Sequence, residues 1–107
     1  MNKLDLLGEA IDQQKPIRFE YLSESSPEGI RYGNPHAIYI SEMKNVNIHI
    51  WKTDGVKSDP SQEFPFWRTY TVKKIKNIKI LKKKPQFSVA PDYKPNSPLY
   101  SKVITKV

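Results

Sequence analysis

Pro16 divides the chain into two periodicities. Before it, Leu4, Leu7 and Ile11 recur at helical spacing with Ala10 beside them, the stripe of one amphipathic helix over residues 2–14. Asn2 can cap this helix, and Asp5 suits its positive first turn. The residue before a proline avoids helical angles, so the helix stops there. Gly8 weakens its middle, so the helix depends on packing against the rest of the domain. After Pro16 the apolar residues recur at every second position, in short runs. Period two places alternate side chains on opposite faces, so each run reads as a half-buried strand.

Ile17, Phe19 and Tyr21 alternate with Arg18 and Glu20 in the first strand, and a polar loop over 23–29 follows. Residues 30–40 read as a second strand, interrupted near Gly33-Asn34-Pro35, where the proline indicates a sheet edge or a bulge. Val46, Ile48 and Ile50 alternate with Asn47, His49 and Trp51 in a third, before a polar loop from Thr53 to Pro65. Trp67 to Val72 is a fourth strand, rich in β-formers. A tight turn from Lys73 to Asn77 leads to a short fifth, Ile78 to Leu81. One helix followed by five short strands predicts a mainly β domain over residues 1–81, a small and strongly bent barrel.

From Lys82 the character changes. Pro85, Pro91, Pro95 and Pro98 fall close together with few strong core residues, so 82–98 reads as an extended arm. Residues 82–107 are thus a basic, Pro-rich C-terminal extension. Leu99 to Val107 has helical spacing of its apolar residues but the composition of a strand, and both readings stay open.

Composition sets further bounds. Leu, Ile, Val and Phe make up about a quarter of the 107 residues, above the roughly 20% below which chains are disordered. No apolar run approaches the ~20 residues that cross a bilayer. The first residues carry acids where a signal peptide is apolar, so no secretion signal is expected. Cysteine is absent, which excludes a disulfide framework, thiol catalysis and thiolate zinc sites, and fits a cytoplasmic protein. The net charge of +7 is unevenly spread. Residues 1–65 hold seven Lys and Arg against ten Asp and Glu, whereas 66–107 hold eleven against one. Such polarity points to a polyanionic partner.

Catalytic patterns are missing. The only histidines are His36 and His49, without metal-binding spacing, and the four glycines form no phosphate-binding loop. No nucleophile elbow surrounds any serine. The chain therefore reads as non-enzymatic, with neither cofactor nor metal.

Several residues together carry a family resemblance. Ala10-Ile11 ends the helix, Ile17-Arg18-Phe19-Glu20-Tyr21 is a strand ending in tyrosine, and Arg31 stands four residues before Pro35. Arg68-Thr69-Tyr70-Thr71-Val72-Lys73-Lys74-Ile75 follows an Arg-x-Phe-Arg-Leu-x-Arg-Ile pattern, with Thr71 in place of the second arginine. In this order and spacing, residues 4–81 resemble the WYL domain, a bacterial ligand-sensing module with an SH3-like or Sm-like barrel. The name-giving Trp-Tyr-Leu tripeptide is not kept, and its register falls on Val46-Asn47-Ile48. No helix-turn-helix precedes the matching region, so the chain resembles a stand-alone or excised module. The resemblance implies a ligand groove faced by Arg68 and Arg31, and a role in transcription regulation or anti-phage defence.

A guanidinium suits such a groove because its planar fork grips phosphate with two hydrogen bonds. The ordinary alternatives are ion pairs of Arg68 with Glu20 or Glu63, and of Arg31 with Glu24 or Glu28. Tyr21, Tyr70, Trp51 and Trp67 are candidates for stacking on bases. Tyr70 stands where the family has a core phenylalanine, so burial is expected for it, whereas Trp51 is expected to be exposed. Trp67 should point away from Arg68 and share an outer surface with Trp51. His49 reads as a strand-face histidine bonded to its neighbours, near enough to the groove to count among its candidates. Lys73, Lys74 and Lys76, with Lys79 and Lys82 to Lys84, form a set suited to phosphate contact without base readout. Its ordinary alternative is a charged strand edge that blocks aggregation.

Three functions follow, the last a structural subunit of a larger protein complex, a nucleoprotein assembly. The leading one is a binding module for single-stranded DNA or RNA, or a nucleotide-like anion. The second is a protein-interaction module whose Pro-rich arm docks a partner, or a second copy in a homodimer, through Tyr93, Leu99 and Tyr100.

Overall fold

In the computed structural model, which describes residues 2–107, helix α1 (Lys3–Gln13) opens the chain. The Asn2 side chain accepts a hydrogen bond from the Asp5 N–H at 2.8 Å, and Leu7, Ala10 and Ile11 are buried. Gln14 ends the helix in the left-handed conformation, its N–H bonded to the Ala10 and Ile11 carbonyls. Six strands follow: β1 (Ile17–Tyr21), β2 (Ile30–Ile40), β3 (Val46–Gly55), β4 (Phe66–Thr71), β5 (Ile75–Ile80) and β6 (Val103–Lys106). A 3-10 turn over Val72–Lys74 carries β4 into β5, so β5 begins earlier than the expected turn to Asn77 allowed.

All pairings are antiparallel, in the order β4-β3-β2-β1-β5, with β6 also on β2. The terminal strands β4 and β5 do not pair, so the sheet is not closed. The expected break in β2 is a pair of register shifts, one between Tyr32 and Gly33 and one between Pro35 and Ala37. Pro35 does not mark an edge. β2 is central: its first half pairs β1, its second half pairs β6, and β3 runs along its other side. The bulge accommodates the missing N–H of proline inside a ladder. Gly33 is required there, because a Cβ would lie 2.3 Å from Ile50 Cγ2 and 3.0 Å from the Trp51 carbonyl.

The main core lies between α1 and the inward face of the sheet. Ile17, Phe19, Ile38, Ile48, Ile50 and Ile75 are fully buried in it. Each such side chain contributes roughly 1.5–3 kcal/mol relative to exposure. Lys76, Asn77 and Lys79 are exposed on the end strand β5, where charge discourages edge pairing.

Residues 82–107 do not stand off as an arm. They fold back on the outward face of the sheet, where Phe87, Ala90 and Tyr100 are buried. Gln14 and Phe87 exchange hydrogen bonds: the Phe87 N–H donates to the Gln14 carbonyl at 3.0 Å, and Gln14 Nε2 donates to the Phe87 carbonyl at 2.9 Å. Residues 99–107 divide between the two open readings, with a 3-10 turn over Pro98–Tyr100 and then strand β6. No helix among the described residues is long and apolar enough to cross a membrane.

Candidate functional site

Period two along β3 and β4 determines which side chains enter the interior. Ile48, Ile50 and Lys52 share the inward face of β3, and Arg68 and Tyr70 share that of β4, with Ile50 opposite Arg68 and Ile48 opposite Tyr70. Arg31 enters the same end of the sheet from β2, where it pairs in register with Gly55. The result is a concentration of cations at one end of the core. Arg31 and Lys52 are each 1% exposed, and Arg68 is half-buried.

The surroundings of these cations are aromatic and neutral. The Arg31 guanidinium lies 6.0 Å from the Tyr21 ring, and that of Arg68 lies 5.7 Å from the Tyr70 ring. Tyr70 packs edge-on against Phe19 at 5.1 Å and Tyr21 at 4.8 Å. Arg31 Nη2 donates to the Pro27 carbonyl at 2.9 Å, and Lys52 Nζ donates to the Val56 carbonyl. Burial, followed by the charges of Arg31, Arg68 and Lys57, pulls the Lys52 ammonium down to about 8. Burial raises the Tyr70 hydroxyl pKa, and the two arginines oppose that rise.

Among the described residues, two buried polar side-chain atoms have no partner: Arg31 Nη1 and the Tyr70 hydroxyl. Both guanidiniums are near enough to Tyr70 to act on its hydroxyl, but neither makes a hydrogen bond of acceptable geometry with it. An unsatisfied buried group costs about 1–3 kcal/mol, so such a pair calls for an explanation. The ordinary ion pairs do not supply it. Glu20 accepts from Asn77 Nδ2 at 2.7 Å instead of from Arg68, and Arg31 bonds a carbonyl instead of Glu24 or Glu28. An anion entering this end of the core would meet two guanidiniums, an ammonium and a phenol.

Of the residues expected from sequence, Arg31, Arg68, Tyr21 and Tyr70 come together here, and Tyr70 is buried as expected. Lys73, Lys74 and Lys76 are exposed on the turn into β5 and on β5 itself. Lys76 borders a hollow of about 120 Å³ that Glu20, Tyr21 and Glu28 also line. His49 and Trp51 lie on the opposite face of β3. Trp51 is half-buried, not open, because it meets Trp67 edge-on at 5.1 Å in the neighbouring register position. His49 is held between two hydroxyls, Tyr39 at 3.1 Å on Nε2 and Tyr100 at 2.7 Å on Nδ1. Burial raises Tyr100 to about 12, and the nearby Tyr93 and Tyr39 add to the rise.

Tyr93 and Tyr100, expected as anchors for a partner, serve their own sheet. Tyr100 packs on Tyr39 at 5.3 Å, and the Tyr93 ring lies 5.0 Å from that of His36. Of the three expected anchors only Leu99 is exposed, at 57%.

Sequence reasoning missed Lys52 and His36. Lys52 extends the inward series of Val46, Ile48 and Ile50, so its place was legible as a charge in an apolar register. His36 is fully buried, with Nδ1 on the Asn34 carbonyl at 2.8 Å and Nε2 accepting from the Ala90 N–H at 3.1 Å. That pattern requires the neutral ring protonated at Nδ1. Compared with known protein families, curated proteins and solved structures, the chain matches none of them.

Proposed function

We propose that the protein is a WYL-like binding module that recognises a nucleic acid or a nucleotide-like anion through Arg31, Lys52, Arg68 and Tyr70. The observation that carries this reading is the pair of unpartnered buried donors, Arg31 Nη1 and the Tyr70 hydroxyl, among cations that no carboxylate neutralises. The strand path and the tight 3-10 turn between β4 and β5 support a bent SH3-like or Sm-like barrel as the frame. The exposed Lys73, Lys74 and Lys76 add a field that attracts anions to this half of the molecule. A regulatory or accessory role rests on the family resemblance alone.

Anisotropy of a labelled single-stranded oligonucleotide at three salt concentrations tests the proposal. Wild type should bind with micromolar or tighter affinity, and Arg68→Ala should weaken binding about tenfold. Unchanged affinity in the variant would transfer binding to the lysine set. No binding at low salt would end the nucleic-acid reading.

A second reading, docking of a protein partner, draws on the exposed Leu99, Val103 and Ile104. Leu99 borders an open groove of about 740 Å³ with Tyr39, Ile40 and Met43.

A further inference from the structure

We infer that the cationic cluster receives the terminal phosphate of a nucleotide or nucleic-acid strand, beneath the β3–β4 loop, in preference to phosphodiesters along a strand. The inference rests on the anion-binding reading above and names the group that is bound.

Burial is the first argument. Arg31 and Lys52 are each 1% exposed. An internal phosphodiester has chain leaving on both sides, so enclosing it needs a channel with two exits. A terminal phosphate enters by one.

Charge and donor count are the second. A phosphate monoester carries between one and two negative charges at neutral pH and three terminal oxygens, whereas a diester carries one charge and two such oxygens. Arg31, Arg68 and Lys57 all act on Lys52, and the side-chain hydrogen bonds of Arg31, Lys52 and Lys57 go to carbonyls, with Asp59 near Lys57 as the neighbouring carboxylate. Arg31 Nη1 and the Tyr70 hydroxyl remain as free donors. A dianion with three acceptors matches this set better than a monoanion with two.

The cover is the third. The β3–β4 loop, residues 56–65, brings the Phe64 ring to 5.7 Å from Lys52 Nζ, and Phe66 at the start of β4 brings its ring to 5.5 Å. Lys57 Nζ lies 4.9 Å from the Phe64 ring and donates to the Gln62 carbonyl. The β1–β2 loop meets this loop where Ser58 Oγ donates to Ser26 Oγ at 3.5 Å and where Gly29 lies against the Val56 side chain. Arg68, the half-exposed member, stands where an arriving anion is met first.

The test uses three internally labelled oligonucleotides of one sequence: 5′-phosphorylated, 3′-phosphorylated and unphosphorylated. Each is titrated with the full chain and with Tyr70→Phe. This variant removes only the hydroxyl and keeps the ring that packs on Phe19 and Tyr21, and a urea titration beside the binding assay checks that it folds. At least one phosphorylated form should bind wild type about tenfold or more tightly than the unphosphorylated one. Tyr70→Phe should shrink that preference to about threefold or less. Inorganic phosphate should compete with the phosphorylated strand alone. Equal binding of all three strands would overturn the inference and leave the broader anion reading standing. A preference that survives intact in Tyr70→Phe would also overturn it, because another site would be reading the terminus. Failure of every strand to bind at low salt would remove both.

Discussion

Replacing Lys52 with methionine should reverse the usual outcome of a core substitution. The ammonium is 1% exposed and is drawn from its ordinary 10.5 to about 8. At roughly 1.4 kcal/mol per pH unit, that drop amounts to about 3 kcal/mol against the charged form in the folded state. The unfolded chain holds the proton up to its ordinary value. Between about 8 and 10.5 it therefore binds more protons than the folded chain, and stability rises with pH. Below 8 the penalty is fully present, and above 10.5 it is gone. Lys52→Met keeps the stem and removes the charge. It also removes the bond to the Val56 carbonyl, a loss of about 1–3 kcal/mol. At pH 7 the variant should thus be as stable as wild type or up to about 2 kcal/mol more stable. From pH 7 to pH 10 the difference should move by about 2 kcal/mol in favour of wild type. Urea unfolding followed by tryptophan fluorescence at the two pH values measures both quantities. A loss above about 1 kcal/mol at pH 7, with no shift in the difference at pH 10, would refute the reasoning.

Three further outcomes are expected. Burial lowers the pKa of both His36 and His49, so as pH falls the unfolded chain binds more protons there than the fold does; the melting temperature should fall as pH drops from 7 to 5, and a constant value would contradict these assignments. Gly33→Ala should cost about 1–3 kcal/mol in urea titration, because its Cβ meets Ile50 Cγ2 and the β3 backbone; a loss below about 0.5 kcal/mol would mean that the strands separate easily. Replacing Lys82, Lys83 and Lys84 by serine should flatten the slope of log affinity against log salt by about 2 for a single strand if all three contact phosphate, and an unchanged slope would mark them as edge charges.

Much of the fold was legible because it obeys two periods. The stripe of Leu4, Leu7 and Ile11 and the alternations of β1, β3 and β4 each have one buried face, and burial is what writes a period into sequence. Pro35 left two readings open because a proline fits an edge and a bulge equally well. Only the pairing partners on either side of β2 separate the two cases. The tail was opaque for another reason. Phe87, Ala90 and Tyr93 follow no period and dock individually around His36, whose ring lies 5.0 Å from both Phe87 and Tyr93. A buried polar receptor of this kind leaves no apolar signal. At the candidate site, Arg31 and Arg68 came from the family resemblance, and their meeting with Tyr21 and Tyr70 follows from strand order. Lys52 was missed because the third strand was followed only as far as Trp51, with a polar loop from Thr53, whereas β3 continues to Gly55.

The divided edge of β2 also bears on how the chain assembles. β1, β2, β3 and β4 are successive hairpins, and their pairings close short loops. The two remaining joins span far more chain, Ile17 with Ile80 and Ala37 with Lys106. Loop-closure entropy disfavours both until the hairpins are in place. The meander from β1 to β4 is thus the natural nucleus, and β5 and β6 arrive late by separate routes. β6 holds to β2 by a short ladder, so in the native state it opens most readily. Amide exchange should register this as weak protection in β6 and strong protection in the centre of β3. The same opening would bare Ala37 to Tyr39, an apolar edge that the C-terminal strand otherwise keeps covered.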